Sequence, residues 1–362
     1  MSEHLRDAYF PGTEELGADE MRITALGTGM PNLRPSQASA SFFVELGNGD
    51  KFFFDMGTGC IMNFCGLGVS YVEANKLFLS HLHTDHMGDF MAWYVGGWIE
   101  RQADGGVEVW GPSGPEPELG TKYFVDTLIE ACKWDITSRV GRLPEEGRQV
   151  TVHEFDYTGM NEVVYDQNGV VVRSWPAKHM IDGPVSYSLE WNGLKFVYGG
   201  DCAPNEYYME YAKGADFAIH ECFITVELLM EKFGFPYDLA VNVGTRGHTS
   251  PAAWASVMKE VKPRMAIAYH FYNDPGTAPL VFKEILDVYD GPIHLTKDNY
   301  VYNVTKENIT IRQLVNTADT WPMPHSSGNP GTRGPIYPMT DWLTNSEVNF
   351  PGIDEYPDVA DF

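Results

Sequence analysis

Short apolar runs closed by polar or glycine-rich turns recur along the first three hundred residues of the chain. Met21-Arg22-Ile23-Thr24-Ala25-Leu26 alternates as a strand does, and Gly27-Thr28-Gly29-Met30-Pro31 ends it in a tight turn. Residues 39–46 alternate again, Gly47-Asn48-Gly49-Asp50 is a hairpin signal, and Lys51–Phe54 reads as the returning strand. Lys76-Leu77-Phe78-Leu79-Ser80 reads as a buried strand. The pattern then predicts a helix over Phe90–Arg101, a strand over Val107–Pro112 and an amphipathic helix over 121–134. Residues 149–155 and 163–177 are strand-rich, and 187–191 with Leu194–Tyr198 form a hairpin about Asn192-Gly193. Two more buried strands fall at 215–219 and 264–269. Helices are expected at 252–261, with Ser250 as cap and Pro251 in its first turn, and at 280–289.

This pattern divides the chain into a loose arm (1–20), a body (21–315) and a tail (316–362) of Pro, Gly, Asn and aromatic residues. Trp321, Tyr337, Trp342 and Phe350 in the tail are expected to anchor onto the body or onto a second subunit. The chain has 362 residues, 43% of them hydrophobic, enough for a sizeable core. No apolar run approaches the roughly 18–20 residues of a membrane helix. The first residues lack the basic-then-apolar pattern of a signal peptide. Five cysteines without a Cys-x-x-Cys pair fit reduced thiols, so a cytoplasmic protein is expected. With 50 acidic against 25 basic residues the net charge is −25. That balance repels polyanions, and it sets nucleic acid aside as a partner.

The densest chemistry lies in His81-Leu82-His83-Thr84-Asp85-His86, followed by Gly88-Asp89. Imidazole nitrogen and carboxylate oxygen without thiolate suit Zn²⁺, Mn²⁺ or Fe. On an extended segment His81 and His83 share a side. A helix beginning at Thr84 would carry Asp85 and His86 to a second point, so that one stretch serves two metals. Asp55, Asp201, His220 and His270 stand at strand ends and His179 in a loop, where distant parts of a chain converge on one sheet edge. Gly27-Thr28-Gly29 lacks the residues that would make it a phosphate loop. His4, His153, His294 and His325 have no supporting context, and Cys202 reads as packing.

Over about residues 21–300 the sequence resembles the metallo-β-lactamase superfamily, within it the ribonuclease Z and arylsulfatase branch. The matching stretches are Leu26–Pro31, Phe54–Gly59, Ser80–Asp89, His179, Gly200-Asp201, Ile219-His220-Glu221, Gly247-His248-Thr249-Ser250 and His270-Phe271. The resemblance implies an α+β, four-layer αββα sandwich with two divalent metal ions at one edge. Zinc is the first expectation for them, with manganese or iron as alternatives. One ion would take His81, His83 and His179, the other Asp85, His86 and His270, and Asp201 would bridge them. His248 would protonate the leaving group or stabilise the oxyanion, with Asp85 also in the catalytic machinery. Asp55 and Glu221 would orient ligand imidazoles from behind, and His220 would be structural or stand in that outer shell. A homodimer is implied as well.

A metal-activated water would attack a phosphorus, sulfur or carbonyl centre. In ribonuclease Z a protruding arm lies between the counterparts of His179 and Asp201, whereas the 21 residues here read as a plain hairpin. With the acidic charge, this points first to a small-molecule ester, a sulfate ester or a phosphodiester. A ribonuclease Z-like endonuclease and a lactonase are the alternatives, and a non-catalytic binding protein is disfavoured because every expected ligand is in place. Trp93, Tyr94 and Trp98, with Met230 and Phe233 of the 223–235 segment, would wall an apolar pocket or else be core. A looser resemblance to bacterial hydrolases named for guanitoxin-type biosynthesis fixes no substrate.

Overall fold

A computed structural model describes residues 7–315, 319–320, 337–346 and 348. In chain order its strands are β1 (Ala8–Tyr9), β2 (Met21–Gly27), β3 (Ser41–Leu46), β4 (Lys51–Phe54), β5 (Lys76–Phe78), β6 (Val107–Pro112), β7 (Val150–Phe155) and β8 (Glu162–Gln167). They continue with β9 (Val170–Pro176), β10 (Val185–Trp191), β11 (Leu194–Tyr198), β12 (Phe217–Glu221), β13 (Met265–Tyr269), β14 (Ile293–Leu295), β15 (Tyr300–Val304) and β16 (Ile309–Leu314). Among the described residues they form two sheets, of nine strands in the order β1-β16-β15-β2-β3-β4-β5-β6-β7 and of seven in the order β14-β13-β12-β11-β10-β9-β8.

The sheets face each other across an aromatic core. Phe54 meets Phe196 with ring centroids 4.9 Å apart, and Phe42 meets Tyr269 edge-on at 5.3 Å. Helices Cys60–Cys65, Phe90–Arg101 and Thr121–Ala131 cover the outer face of the first sheet. Glu206–Tyr211, Val226–Phe233, Pro251–Val261 and Ala278–Leu286 cover that of the second. The architecture is therefore the four-layer αββα sandwich.

Sheets covered on both faces explain where alternation misleads. Every residue of β2 is buried, Arg22 and Thr24 included. Arg22 is tolerated because its charge is met: its guanidinium stacks over the Tyr9 ring at 4.6 Å and pairs with Glu14 at 3.3 Å. Arg312 on β16, also buried, pairs with the same Glu14 at 2.5 Å. Residues 7–20, expected as a loose arm, are thus stapled to the body. β1 lies parallel to β16 and the Glu14 carboxylate sits between two arginines.

Other expectations shift in detail. The helix over 121–134 is two helices, Thr121–Ala131 and Lys133–Arg139, because Cys132 between them leaves helical geometry (φ −95°, ψ 19°). Ser250 holds the cap position, but its side chain makes no cap hydrogen bond. Trp93, Tyr94 and Trp98 are core: Trp93 and Trp98 are fully buried, with their indole N–H groups donating to Ala74 O and Pro144 O. In the tail, Tyr337 and Trp342 are 75% and 74% exposed, while Trp321 and Phe350 lie outside the described residues. No helix among the described residues is long and apolar enough to cross a membrane.

β4, β5 and β6 run parallel, as do β11, β12 and β13, so their C-terminal ends gather at one edge of the sandwich. Tyr187 ties the sheets there by donating its hydroxyl to Leu79 O at 2.6 Å. Arg312→Met is expected to lower stability by about 1–3 kcal/mol, because Glu14 loses one of its two cations and keeps only Arg22. Urea unfolding of the variant against the parent checks this.

Candidate metal centre

The chain leaves β5 at Phe78, stays extended through His83 (φ −67°, ψ 146°) and turns into a single helical turn, Thr84–Met87. That change of conformation sends His81 and His83 to one point and Asp85 and His86 to another. The turn packs directly on the loop after β4: a Cβ on Gly57 would lie 2.1 Å from Asp85 O. Gly200, which brings Asp201 in from β11, has φ +60°, and a Cβ there would meet Ser80 at 2.7 Å. His270 follows β13 with φ +73° and donates its backbone N–H to Thr28 O at 3.0 Å. The Gly27-Thr28-Gly29 turn therefore cradles His270 and carries no phosphate-loop role.

Of four overlapping groups of side chains among the described residues that could hold a metal ion, two share Asp201. In the first, His83 Nδ1 lies 3.0 Å from His81 Nε2 and 3.2 Å from His179 Nε2, with Asp201 Oδ2 3.8 Å from His179 Nε2. In the second, His270 Nε2 lies 3.1 Å from Asp85 Oδ2, and Asp201 Oδ1 lies 3.1 Å from His86 Nε2 and 3.2 Å from His270 Nε2. Asp201 belongs to both, one oxygen to each.

The donor set fits divalent metal. Donors held about 2.0–2.1 Å from a tetrahedral ion stand roughly 3.3–3.4 Å apart, close to the nitrogen separations here. The outer nitrogens are committed: His86 Nδ1 donates to Asp55 Oδ2 at 2.6 Å, and His179 Nδ1 donates to Gly247 O at 2.9 Å. Their Nε2 atoms are thereby turned inward as lone pairs. His86 Nε2, Asp85 Oδ1 and Asp201 Oδ1 are buried without a hydrogen-bond partner. Four buried carboxylates crowd this edge, Asp55, Asp85, Asp201 and Glu221, and no ion pair among the described residues brings a Lys or Arg to them. Their compensating positive charge must come from protonated imidazoles or from bound metal ions.

Protonation follows this charge. Burial, and then the neighbouring imidazoles, hold His81 well below the usual histidine range; burial also lowers His83 and His179 despite Asp201. All three are neutral, the form that binds metal. Burial works against charge on His86 too, but Asp201, Asp85 and Asp55 outweigh it and raise it well above that range. Burial would raise Asp201, yet His270 and His86 hold it well below the carboxylate range.

The structure thus brings together His81, His83, Asp85, His86, His179, Asp201 and His270. His248 stands beside them, its ring 5.1 Å from that of His179 and stacked on Phe223 at 4.3 Å. Asp55 supports His86 as expected. Glu221 differs: its Oε1 accepts from His248 Nδ1 at 3.0 Å, so it orients His248 and no ligand imidazole. His220 is structural, with Nδ1 donating to Glu221 O at 2.7 Å and its ring against Tyr208 at 4.5 Å. Cys202 is buried outside both groups. His153 pairs with Glu108 and stacks on Trp110, His294 bonds the Tyr302 hydroxyl, and His4 and His325 lie outside the described residues.

Sequence reasoning gave Ser80 and Tyr198 no part in holding Asp55, to which both donate, and named Phe223 only as one end of a pocket-wall segment, whereas its ring stacks on His248; Ser80 carried a signal as the residue before His81. A cavity of about 500 Å³ opens over His81, His83 and His179, walled by the helix Thr121–Ala131 and by Met180–Pro184.

A family model described as a β-lactamase superfamily domain matches residues 71–271. Ribonuclease Z of Mycobacterium marinum is 29% identical over 203 residues, 55% of this chain and 70% of that protein. Among solved structures, a metallo-β-lactamase fold protein from Bacillus subtilis superposes with a TM-score of 0.61 at 15% identity, covering 79% of this chain and all (100%) of that one. The short form of human tRNase Z gives 0.56 at 18% identity, covering 77% and 98%. At these identities the structural likeness concerns the fold. The ribonuclease Z relatives run against the expectation that nucleic acid is disfavoured, and the sulfate ester finds no counterpart among the proteins named here.

Asp201→Ala removes the carboxylate that the two groups share and is expected to lower the divalent-metal content of the folded chain below that of the parent, read by elemental analysis of both.

Proposed function

The chain belongs to the metallo-β-lactamase superfamily, on its ribonuclease Z branch, and on that basis we propose that it is a dinuclear metal-dependent hydrolase of phosphoric diesters. The observation that carries the reading is Asp201, with one oxygen turned to each nitrogen-rich group, and a His248–Glu221 pair alongside. Divalent ions held by the two groups, zinc first with manganese or iron as alternatives, would supply Lewis acidity and a water acidified to near neutrality. The ribonuclease Z relatives support the diester over the sulfate ester and move the endonuclease from alternative to leading company.

The chain's own groups do the rest. Asp85 Oδ1, buried and without a protein partner, is the acceptor placed to orient a water. His248 Nδ1 donates to Glu221, so in the imidazolium form the second proton sits on Nε2, free to pass to a departing alkoxide. Burial pushes His248 down, but Glu221 and then Asp201 and Asp85 push it up further, to about 9, which keeps it protonated at neutral pH.

Three substrates test the reading against metal-loaded protein: bis-p-nitrophenyl phosphate, p-nitrophenyl sulfate and a precursor tRNA. Turnover of a diester that stops on chelation is expected, and a preference for the sulfate, or turnover that survives metal removal, would overturn the reading. His248→Ala is expected to cost about 10²–10⁴ in rate on a diester with an alkoxide leaving group, and less on a nitrophenolate. Because the protonated imidazole is the working form, kcat/KM should fall as pH rises through about 9. Glu221→Gln removes the charge that raises His248, so its alkaline limb should move to lower pH; the pH–rate profiles of the two proteins decide this.

A further inference from the structure

The cavity over His81, His83 and His179 differs in chemistry from the centre it opens onto. Two ridges of the helix Thr121–Ala131 face it, Tyr123 with Thr127 and Phe124 with Leu128, at the i, i+4 spacing that puts side chains on one helix face. The opposite wall is the loop that carries His179 onward. Around the mouth Leu119, Tyr123, Met180 and Ile181 are 49%, 49%, 51% and 61% exposed. Four large apolar side chains sharing one opening are a concentration that a soluble surface seldom leaves uncovered without a ligand. The volume, about 500 Å³, lies within the usual range for a small-molecule group.

Charge narrows the occupant. The charged residues at the lining, apart from the histidines of its floor, are Glu118 and Asp182, both exposed at the rim. No Lys or Arg lines it among the described residues. A group carrying a second phosphate or a carboxylate would meet two like charges and no counter-charge. An alkyl or aryl group would instead bury apolar surface against both walls.

We propose that this cavity is a subsite for one ester group of the substrate, and that the group is apolar and carries no negative charge. The inference rests on the phosphodiesterase reading, because it places the reacting phosphorus at the adjoining centre. Met180 links the two: it lines the cavity, and a Cβ on Gly247, the residue before His248, would meet its Cε at 2.5 Å.

The test is calorimetric binding of methyl-, butyl- and hexylphosphonate to the metal-loaded full chain, beside hydrolysis of bis-p-nitrophenyl phosphate. Affinity is expected to rise about three- to fourfold per added methylene. Ile181→Asp and Leu119→Asp, both at exposed positions, should flatten that slope. A hexylphosphonate ending in a carboxylate should lose the gain, and Glu118→Gln with Asp182→Asn should restore part of it. Diester turnover with affinity indifferent to chain length would overturn the subsite and leave the phosphodiesterase reading standing. Length-dependent binding lost in Ile181→Asp, with no diester turnover under any metal, would overturn that reading and leave the subsite. Precursor tRNA cleaved efficiently, at a rate Ile181→Asp does not change, would also overturn the subsite.

Discussion

The Asp55 carboxylate is the point at which the two sheets, the metal-ligand stretch and the centre meet. It is fully buried and accepts four hydrogen bonds: from Ser80 N and Ser80 Oγ at 2.6 Å each, from His86 Nδ1 at 2.6 Å and from the Tyr198 hydroxyl at 2.7 Å. Ser80 and His86 follow β5 in the first sheet, and Tyr198 ends β11 in the second. Bonds to a buried charge contribute about 1.5–3 kcal/mol each, so the carboxylate clamps the sandwich at the edge where the chemistry sits. It also sets the His86 tautomer, and with it the lone pair turned inward. Asp55 itself sits at φ 58°, a left-handed conformation that costs a non-glycine residue of order 1 kcal/mol. Four charge-assisted bonds offset that cost.

From this clamp the two halves of the centre take different electrostatic characters. His81, His83 and His179 form a neutral, nitrogen-rich group whose only carboxylate is shared. Around His86 and His270 two carboxylates face two imidazoles, and burial makes each uncompensated charge expensive. His248 belongs to neither. Glu221 behind it and Phe223 against its face hold the ring in place, and Glu221, Asp201 and Asp85 favour its charged form over the effect of burial. Burial favours the neutral form at His81, His83 and His179, whereas neighbouring carboxylates favour the charged form at His86 and His248.

The acidic surface and the apolar cavity bear on substrate in a way the centre does not. A net charge of −25 belongs to the whole chain, whereas the two groups of imidazoles and carboxylates sit together at one edge of the sandwich. Ligand geometry defines the bond chemistry, and the walls above it define what is brought to that chemistry. Here those walls are Tyr123, Phe124 and Leu128 on one side and Met180 and Ile181 on the other.

How much of this was legible in the sequence follows from the range of the forces involved. The stretch His81–His86 was readable because its ligands depend on local conformation: an extended segment and one helical turn suffice to send side chains to two points. The strands of the core were readable because period two is a local pattern, and Asp55, Asp201 and His270 because each ends such a strand. The burial of Arg22 was not, because it depends on Glu14 and on a tyrosine thirteen residues away that folds back as an extra strand. Nor was the partner of Glu221, which is chosen by where Gly247-His248 packs. Trp93 and Trp98 could be read as pocket wall or as core, because aromatic content says nothing about which face of a helix meets the sheet, and the structure decides for core. The sequence by itself determined the ligand inventory and the strands that carry it. Only the tertiary structure decided which carboxylate serves which imidazole and where the cavity lies, because both depend on the approach of segments that no local pattern relates.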